Sequence, residues 1–551
     1  MPLKSIHTVF LIGLFTTSFI SAHADKYPKN HSIDVMHYDF TIRVSDSTDA
    51  IQGKAVITIK FKKNDVKTLR LDLINKSISR KDKGMIVRSI YSNGELVEYI
   101  HSNDAVTIIN NTAPDSGSQK TYIITYDGIP AEGMLIGPTK YGDRSFFTDN
   151  WPNKARNWIP TIDHPYDKAT SEFKVYAPSA YQVVSNGLLK EESFPEEGIK
   201  LTHWSQNVAT APWLYVIGVT KFAVQYVDQF NHKSIQSWVY PKNREAGFYD
   251  FAEPTKEVLN FFSNYIGPYA YEKIANVQVA GTGGGMEAAS SIFYNENLVT
   301  GNRTKRTRNV IIHELAHQWF GNAVTESSWD DVWLSEGFAT FFTLLFIEKA
   351  YGHEEYVEGL IDAKKILDKN FTNEPDTYII SDRSAEDGPV SSYAITYQKG
   401  AWVLHMLREL IGEANFKKGI KAYYNKFMNG NACTNDFRDA MEKASGKNLK
   451  IFFNQWLYRN EKLLLEGHWQ YQKKSKQIVV DLTQIQTSEF LFDIPVEIGL
   501  IKEGEIKPTN FKFILNTKNK KIYIPSNSAP QKITIDPNLK LLATTNISEI
   551  K

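Results

Sequence analysis

Only one cysteine, Cys433, occurs in the 551 residues, so the chain cannot form an internal disulfide. Stability must come from packed cores. Excess charge is also missing: 63 Lys and Arg oppose 62 Asp and Glu, a formal charge of +1. That balance gives no electrostatic case for nucleic acid or for an anionic membrane surface. Past residue 24, no apolar run is long enough to span a bilayer. There is no internal repeat and no low-complexity tract. Solenoid and disordered architectures are therefore excluded.

Aromatic residues are plentiful, with 28 Tyr, 31 Phe and 11 Trp. This length and composition predict large cores in about two to four domains. The first 24 residues have the make-up of a leader. Lys4 supplies charge, Thr8 to Ile20 an apolar run, and Ala22-His23-Ala24 a small-x-small cleavage pattern. The expectation is an exported chain, periplasmic or secreted, cleaved near Ala24 and not inserted in the membrane afterwards. No cysteine lies there to carry a lipid anchor.

Residues 25–228 read as antiparallel β-structure. Tyr38, Phe40, Ile42 and Val44 alternate with polar residues, as do Ala55, Ile57, Ile59 and Phe61, then Leu69, Leu71 and Leu73. Asn93-Gly94 signals a hairpin, and Thr121 to Tyr126 and Glu172 to Tyr176 continue the pattern. Residues 229–467 turn mainly helical after one further strand at 234–240. Phe251, Val258, Leu259, Phe262 and Ile266 fit one helix face ending at Gly267-Pro268. Further helices are expected around Leu404, Leu407 and Ile411, around Phe437 and Met441, and around Phe452, Phe453 and Trp456. Residues 468–551 return to strands, including Ile478-Val479-Val480, Phe490-Leu491-Phe492, Val496 to Leu500 and Ile522-Tyr523-Ile524. The fold class is multidomain α+β, in the order β, mainly α, β.

The chemistry gathers at His313-Glu314-Leu315-Ala316-His317. On a helix, residues four apart share a face, so His313 and His317 present two imidazoles to one ion. Glu314 lies beside them as a candidate general base. Catalytic zinc takes three protein ligands. Glu336, after eighteen intervening residues, is the candidate third ligand. A histidine pair on a half-apolar helix is often only a packed pair, so the neighbouring segments carry weight. Gly284-Gly285-Met286-Glu287 follows a strand, and glycines there let a bound chain approach the backbone. Taken alone, such a stretch is more often a plain turn. Tyr397-Gln398-Lys399-Gly400 precedes a helix, and Asp149 to Pro160 forms an aromatic and polar word. Arg303, Lys305, Arg306 and Arg308 read as a solvated helix start. Cys433 reads as structural.

In this order the segments resemble the M1 family of zinc metallopeptidases, the gluzincin aminopeptidases. The resemblance rests on H-E-x-x-H, eighteen residues, Glu, on Gln318-Trp319-Phe320-Gly321-Asn322, on Trp333-Leu334-Ser335-Glu336-Gly337 and on Tyr397-x-Lys399-Gly400. It implies an N-terminal β-saddle, a thermolysin-like catalytic domain and a C-terminal β-sandwich, with the helical C-terminal domain of longer members absent. It also implies one Zn2+ per chain, held by His313, His317 and Glu336. Glu314 would be the base and Tyr397 the oxyanion donor. Glu287 would bind the α-amine of a peptide with a free N-terminus, and Gly284, Gly285 and Met286 would line its backbone.

Two positions depart from the family pattern. Ala288 stands where Asn is usual, and Trp151 stands where a Gln or Glu helps hold the amine. Trp151 then serves as an aromatic wall, or Asp149 supplies the second anchor. Endopeptidase, epoxide hydrolase and non-catalytic readings remain as rivals.

Overall fold

The computed structural model describes residues 25–380 and 393–550. The leader expectation, residues 1–24, lies outside the described residues. The first body is built on an eight-stranded sheet. At its centre Ile33–Ser45 buries Tyr38, Phe40, Ile42 and Val44, and Thr48–Phe61 buries Ala55, Ile57, Ile59 and Phe61. Alternation thus puts one face of each strand into the core, as the period-two pattern requires. Gly84–Ser92 turns back on Glu95–Leu96 through Asn93 and Gly94, both at positive φ (53° and 81°), the backbone that a tight hairpin needs.

The sheet is not wholly antiparallel, however. Ile33–Ser45 pairs in parallel with Ala169–Pro178. These strands are separated by more than a hundred residues of other structure, enough for the crossover that parallel pairing demands.

The second body has a five-stranded sheet in the order Ala223–Phe230, Lys233–Val239, Ile274–Val279, Ser291–Asn295, Gly285–Met286. Its first strand straddles the expected boundary at 229. The single helix expected over 251–266 is two, Arg244–Ala252 and Thr255–Tyr265. Pro254 sits at the break, where a missing N–H cannot continue a helical ladder.

The helix Trp333–Tyr351 runs through the middle of this body. It is apolar nearly all round, and it is buried nearly all round. Its Phe338 and Phe342 stack near Phe320, at 4.8 and 5.0 Å between ring centroids, and Phe338 meets Phe437 edge-on at 4.9 Å.

The helix Gly400–Ile411 crosses this helix at glycine on glycine. A Cβ on Gly337 would lie 2.9 Å from the Gly400 Cα and 3.2 Å from the Thr396 carbonyl oxygen. Only two glycines permit that approach.

From Leu463 a four-stranded and a three-stranded sheet form the last body. The strand expected at Phe490-Leu491-Phe492 is absent. The amide of Gln484 instead accepts from the Phe492 N–H (2.9 Å) and donates to its carbonyl (2.9 Å), replacing a ladder. Phe492 packs on Trp456 of the helix Lys450–Leu457, with ring centroids 5.1 Å apart. Cys433 caps the helix Thr434–Ser445, its Sγ 3.2 Å from Asp436 Oδ2, a structural role.

Part-buried polar contacts join the bodies. Lys168 of the first donates to the carbonyls of Asn322 (3.0 Å) and Ala323 (3.1 Å). His405 pairs with the Leu539 carbonyl at 2.8 Å.

The glycine crossing is testable. Gly337→Ala should destabilise the protein by about 1–3 kcal/mol, the usual range for overpacking against backbone. A urea midpoint identical to the parent's would show that the helices separate freely there.

Candidate metal and peptide site

The helix Lys305–His317 starts at Thr304, whose hydroxyl accepts from the Thr307 N–H at 3.2 Å. Its basic first turn lies at the surface and pairs with acids: Lys305 with Glu355 (3.2 Å) and Glu358 (3.4 Å), and Arg308 with Glu355. Ile311, Ile312, Leu315 and Ala316 face the core. His313 and His317 are left on the side that meets Trp333–Tyr351.

There the three candidate ligands converge. The two imidazole Nε2 atoms are 3.1 Å apart. Glu336 Oε2 lies 3.2 Å from His317 Nε2 and 3.5 Å from His313 Nε2. Tetrahedral zinc with bonds of about 2.0–2.2 Å holds its ligand atoms about 3.3–3.6 Å apart. The donor set therefore fits zinc in both kind and spacing. On its far side, His317 Nδ1 lies 3.2 Å from the Phe320 carbonyl and 3.1 Å from Ser335 Oγ. Donation to that carbonyl fixes one proton on Nδ1, so Nε2 is the nitrogen that can bind a metal ion once it gives up its own proton.

Glu314 and Glu287 stand beside this triad, each 5 % exposed. With His317 they form a second group whose donor atoms all lie within 4.8 Å of one another. Burial, then the Glu287 charge, pushes the Glu314 carboxyl well above the usual carboxylate range. Burial likewise raises Glu287 to about 7, the His317 charge opposing. Burial lowers His317, but Glu287 and Glu336 outweigh it and carry the ring up to about 10.

Gly285 packs directly on Glu314. A Cβ there would sit 2.3 Å from Glu314 Oε1. Gly285–Met286 is an edge strand, paired on one side only, with Tyr294 and Phe293. Its other edge is the kind of surface to which an extended peptide adds.

Tyr397 lies in the wide helical turn Tyr393–Lys399, half-buried, its ring stacked over His313 with centroids 5.8 Å apart. Burial and the Glu336 carboxylate hold its hydroxyl in the protonated form. Lys399 is buried and bonds the Tyr378 carbonyl, which anchors the turn.

Asp149 is half-buried, accepts from the Trp151 N–H at 3.3 Å and is raised by burial. Trp151 meets Trp329 edge-on at 6.2 Å. A cavity of about 320 Å³ opens at Asp149, between Leu135, Lys154 and Gly281.

Glu287, Glu314, Gly285 and Tyr397 lie beside the triad, Asp149 acts electrostatically on Glu287 and Glu314, and Trp151 is placed against Trp329. Sequence reasoning passed over Glu326, which is 1 % exposed, has no hydrogen-bond donor on either oxygen and is raised by burial to about 8. It also passed over Ser335 and the half-buried Lys168. No periodicity marks these three. Only Ser335, next to Glu336, offered a positional hint.

Two family descriptions match the chain: Peptidase M1 N-terminal domain over residues 35–214 and Peptidase family M1 domain over residues 251–456. Glutamyl aminopeptidase of Rattus norvegicus is 27 % identical over 77 % of this chain and 47 % of the relative. That of Sus scrofa is 31 % identical over 62 % and 38 %. Mitochondrial aminopeptidase 2 of Saccharomyces cerevisiae is 28 % identical over 76 % and 46 %. The chain thus spans half or less of the length of these relatives. An M1 zinc metallopeptidase from Deinococcus radiodurans shares the fold, with a TM-score of 0.65 at 21 % identity, covering 78 % of this chain and 94 % of that one.

Ser335→Ala removes one of the two partners of His317 Nδ1. It should weaken zinc binding about tenfold, the lower end of the 10–100-fold range for groups that support a ligand. Competition against a chromophoric chelator measures this. Unchanged affinity would mean that the Phe320 carbonyl orients the ring unaided.

Proposed function

Because the chain belongs to peptidase family M1, we propose that it is a zinc-dependent aminopeptidase, removing the N-terminal residue from peptides with a free N-terminus. The observation that carries this reading is the convergence of His313, His317 and Glu336 at 3.1–3.5 Å, with two further buried carboxylates beside them. One zinc ion per chain would be held by these three residues. When bound, it supplies a Lewis acid that polarises the scissile carbonyl and activates water.

The remaining steps belong to the protein. Glu314 takes the proton of the attacking water and passes it to the leaving amine. The Tyr397 hydroxyl donates to the oxyanion that develops on the carbonyl. Glu287 accepts from the substrate's α-ammonium and thereby limits cleavage to the first peptide bond. Gly284, Gly285 and Met286 present the free strand edge to the substrate backbone. Trp151 walls the first pocket, and Asp149 adds a second carboxylate toward the amine.

In finer detail, the residues from 25 up to the strand Ala223–Phe230 form a β-saddle, those from that strand to the helix Lys450–Leu457 a thermolysin-like domain, and those from Leu463 a β-sandwich. Residues 1–24 direct export and are removed near Ala24. Among the described residues no helix is long and apolar enough to cross a membrane.

An endopeptidase would keep the zinc ligands and have no use for Glu287. Hydrolysis of aminoacyl chromophores, free and N-acetylated, separates the two. We expect turnover of free amines only, abolished in Glu314→Ala and by chelation. Glu287→Ala should cost about 1.5–3 kcal/mol of substrate binding, roughly 10–150-fold, with zinc content unchanged. Equal cleavage of blocked and free substrates would replace the aminopeptidase reading with an endopeptidase one.

A further inference from the structure

An aminopeptidase has to hold its amine anchor at a fixed distance from its base and metal, because one misplaced ångström in that gap misplaces the scissile bond. Glu287 and Glu314 lie on different elements, a loop after an edge strand and the helix Lys305–His317. Something must couple them. The main-chain carbonyl of Glu287 accepts two side-chain amides: Gln318 Nε2 at 2.8 Å and Asn322 Nδ2 at 2.6 Å. Both donors are fully buried, and they follow His317 in the chain by one and by five residues. Gln318 also accepts from the Ser290 N–H at 3.0 Å, so its amide grips the loop at two points. Asn322 is steadied from behind, its own carbonyl accepting from Lys168 Nζ at 3.0 Å. Ala288, between the gripped residues, is buried and adds no polar side chain of its own.

We propose that Gln318 and Asn322 are positioning residues that set the register between the amine anchor Glu287 and the zinc ligands, and so tie the amine requirement to the metal-binding helix. The proposal rests on the aminopeptidase reading above. Neither amide touches substrate. They act through the Glu287 main chain, which fixes where that carboxylate stands relative to His317.

Two competitive ligands that differ only by the α-amine provide the test: leucine hydroxamate and isocaproyl hydroxamate, titrated by calorimetry into zinc-loaded protein. In the parent, the amine should tighten binding. Gln318→Met and Asn322→Leu, close in shape but without the donor, should each cut that amine advantage about tenfold, the effect of one lost hydrogen bond. Affinity for isocaproyl hydroxamate and zinc content should hold. In a Glu287→Ala background neither substitution should change the ratio further.

An unchanged amine advantage, equal weakening of both ligands, or a cut that persists without the Glu287 carboxylate would overturn the proposal. Should Asn322→Leu fail to fold, Asn322→Ser removes the same donor with less bulk. If no variant at either position folds, the amides are structural and the proposal falls. A parent that binds both hydroxamates equally would instead sink the amine-anchor role of Glu287, and with it the aminopeptidase reading.

Discussion

Carboxylates crowd the centre of this protein to an unusual degree. Glu287, Glu314, Glu326 and Glu336 are all 5 % exposed or less, and each acts electrostatically on at least one of the others. Desolvating a single carboxylate costs several kcal/mol, and mutual repulsion adds to that cost. Two histidines offset part of it, and His317 responds by holding its proton up to about pH 10. A divalent cation among His313, His317 and Glu336 would offset far more. The donor spacing of 3.1–3.5 Å is what such an ion requires.

A site of that kind persists only on a scaffold that prevents its charges from drifting apart. The surrounding structure does this with close contacts and few polar groups. Phe320, Phe338, Phe342 and Phe437 clamp the turn after His317 onto the helix that carries Glu336. The Gly337–Gly400 crossing lies one residue from Glu336 and three from Tyr397, so a single contact sets both side chains together. Gly285 brings the edge strand against the Glu314 carboxylate. Each glycine stands where a methyl group would force the parts of the site apart.

That His313, His317 and Glu336 form one group could be read from sequence because metal-ligand chemistry is tied to spacing, and their donor atoms do converge at 3.1–3.5 Å. Histidines four apart must share a helical face, and His313 and His317 do. Alternation in Tyr38 to Val44 predicted a strand because one face of that strand is buried. What remained hidden depended on distant partners. Nothing local in Phe490-Leu491-Phe492 reveals that the Gln484 amide will satisfy its backbone. Nothing near Ala169 announces a parallel partner over a hundred residues away. The helix expected over 251–266 failed for the opposite reason: its apolar period continued across Pro254, and local backbone chemistry overrode it.

The departures from the family pattern at Trp151 and Ala288 bear on this balance. Ala288 gives up a polar side chain in a loop whose main chain is already held by amides from the metal-binding helix, so the loss need not loosen Glu287. Trp151 is different. It meets Trp329, which sits in the short turn Trp329–Asp331 immediately before the helix of Glu336. Trp329 in turn donates from its indole N–H to Asn153, two residues beyond Trp151, at 2.9 Å. Trp151, Asn153 and the turn that leads into the helix of Glu336 are thus one packed unit.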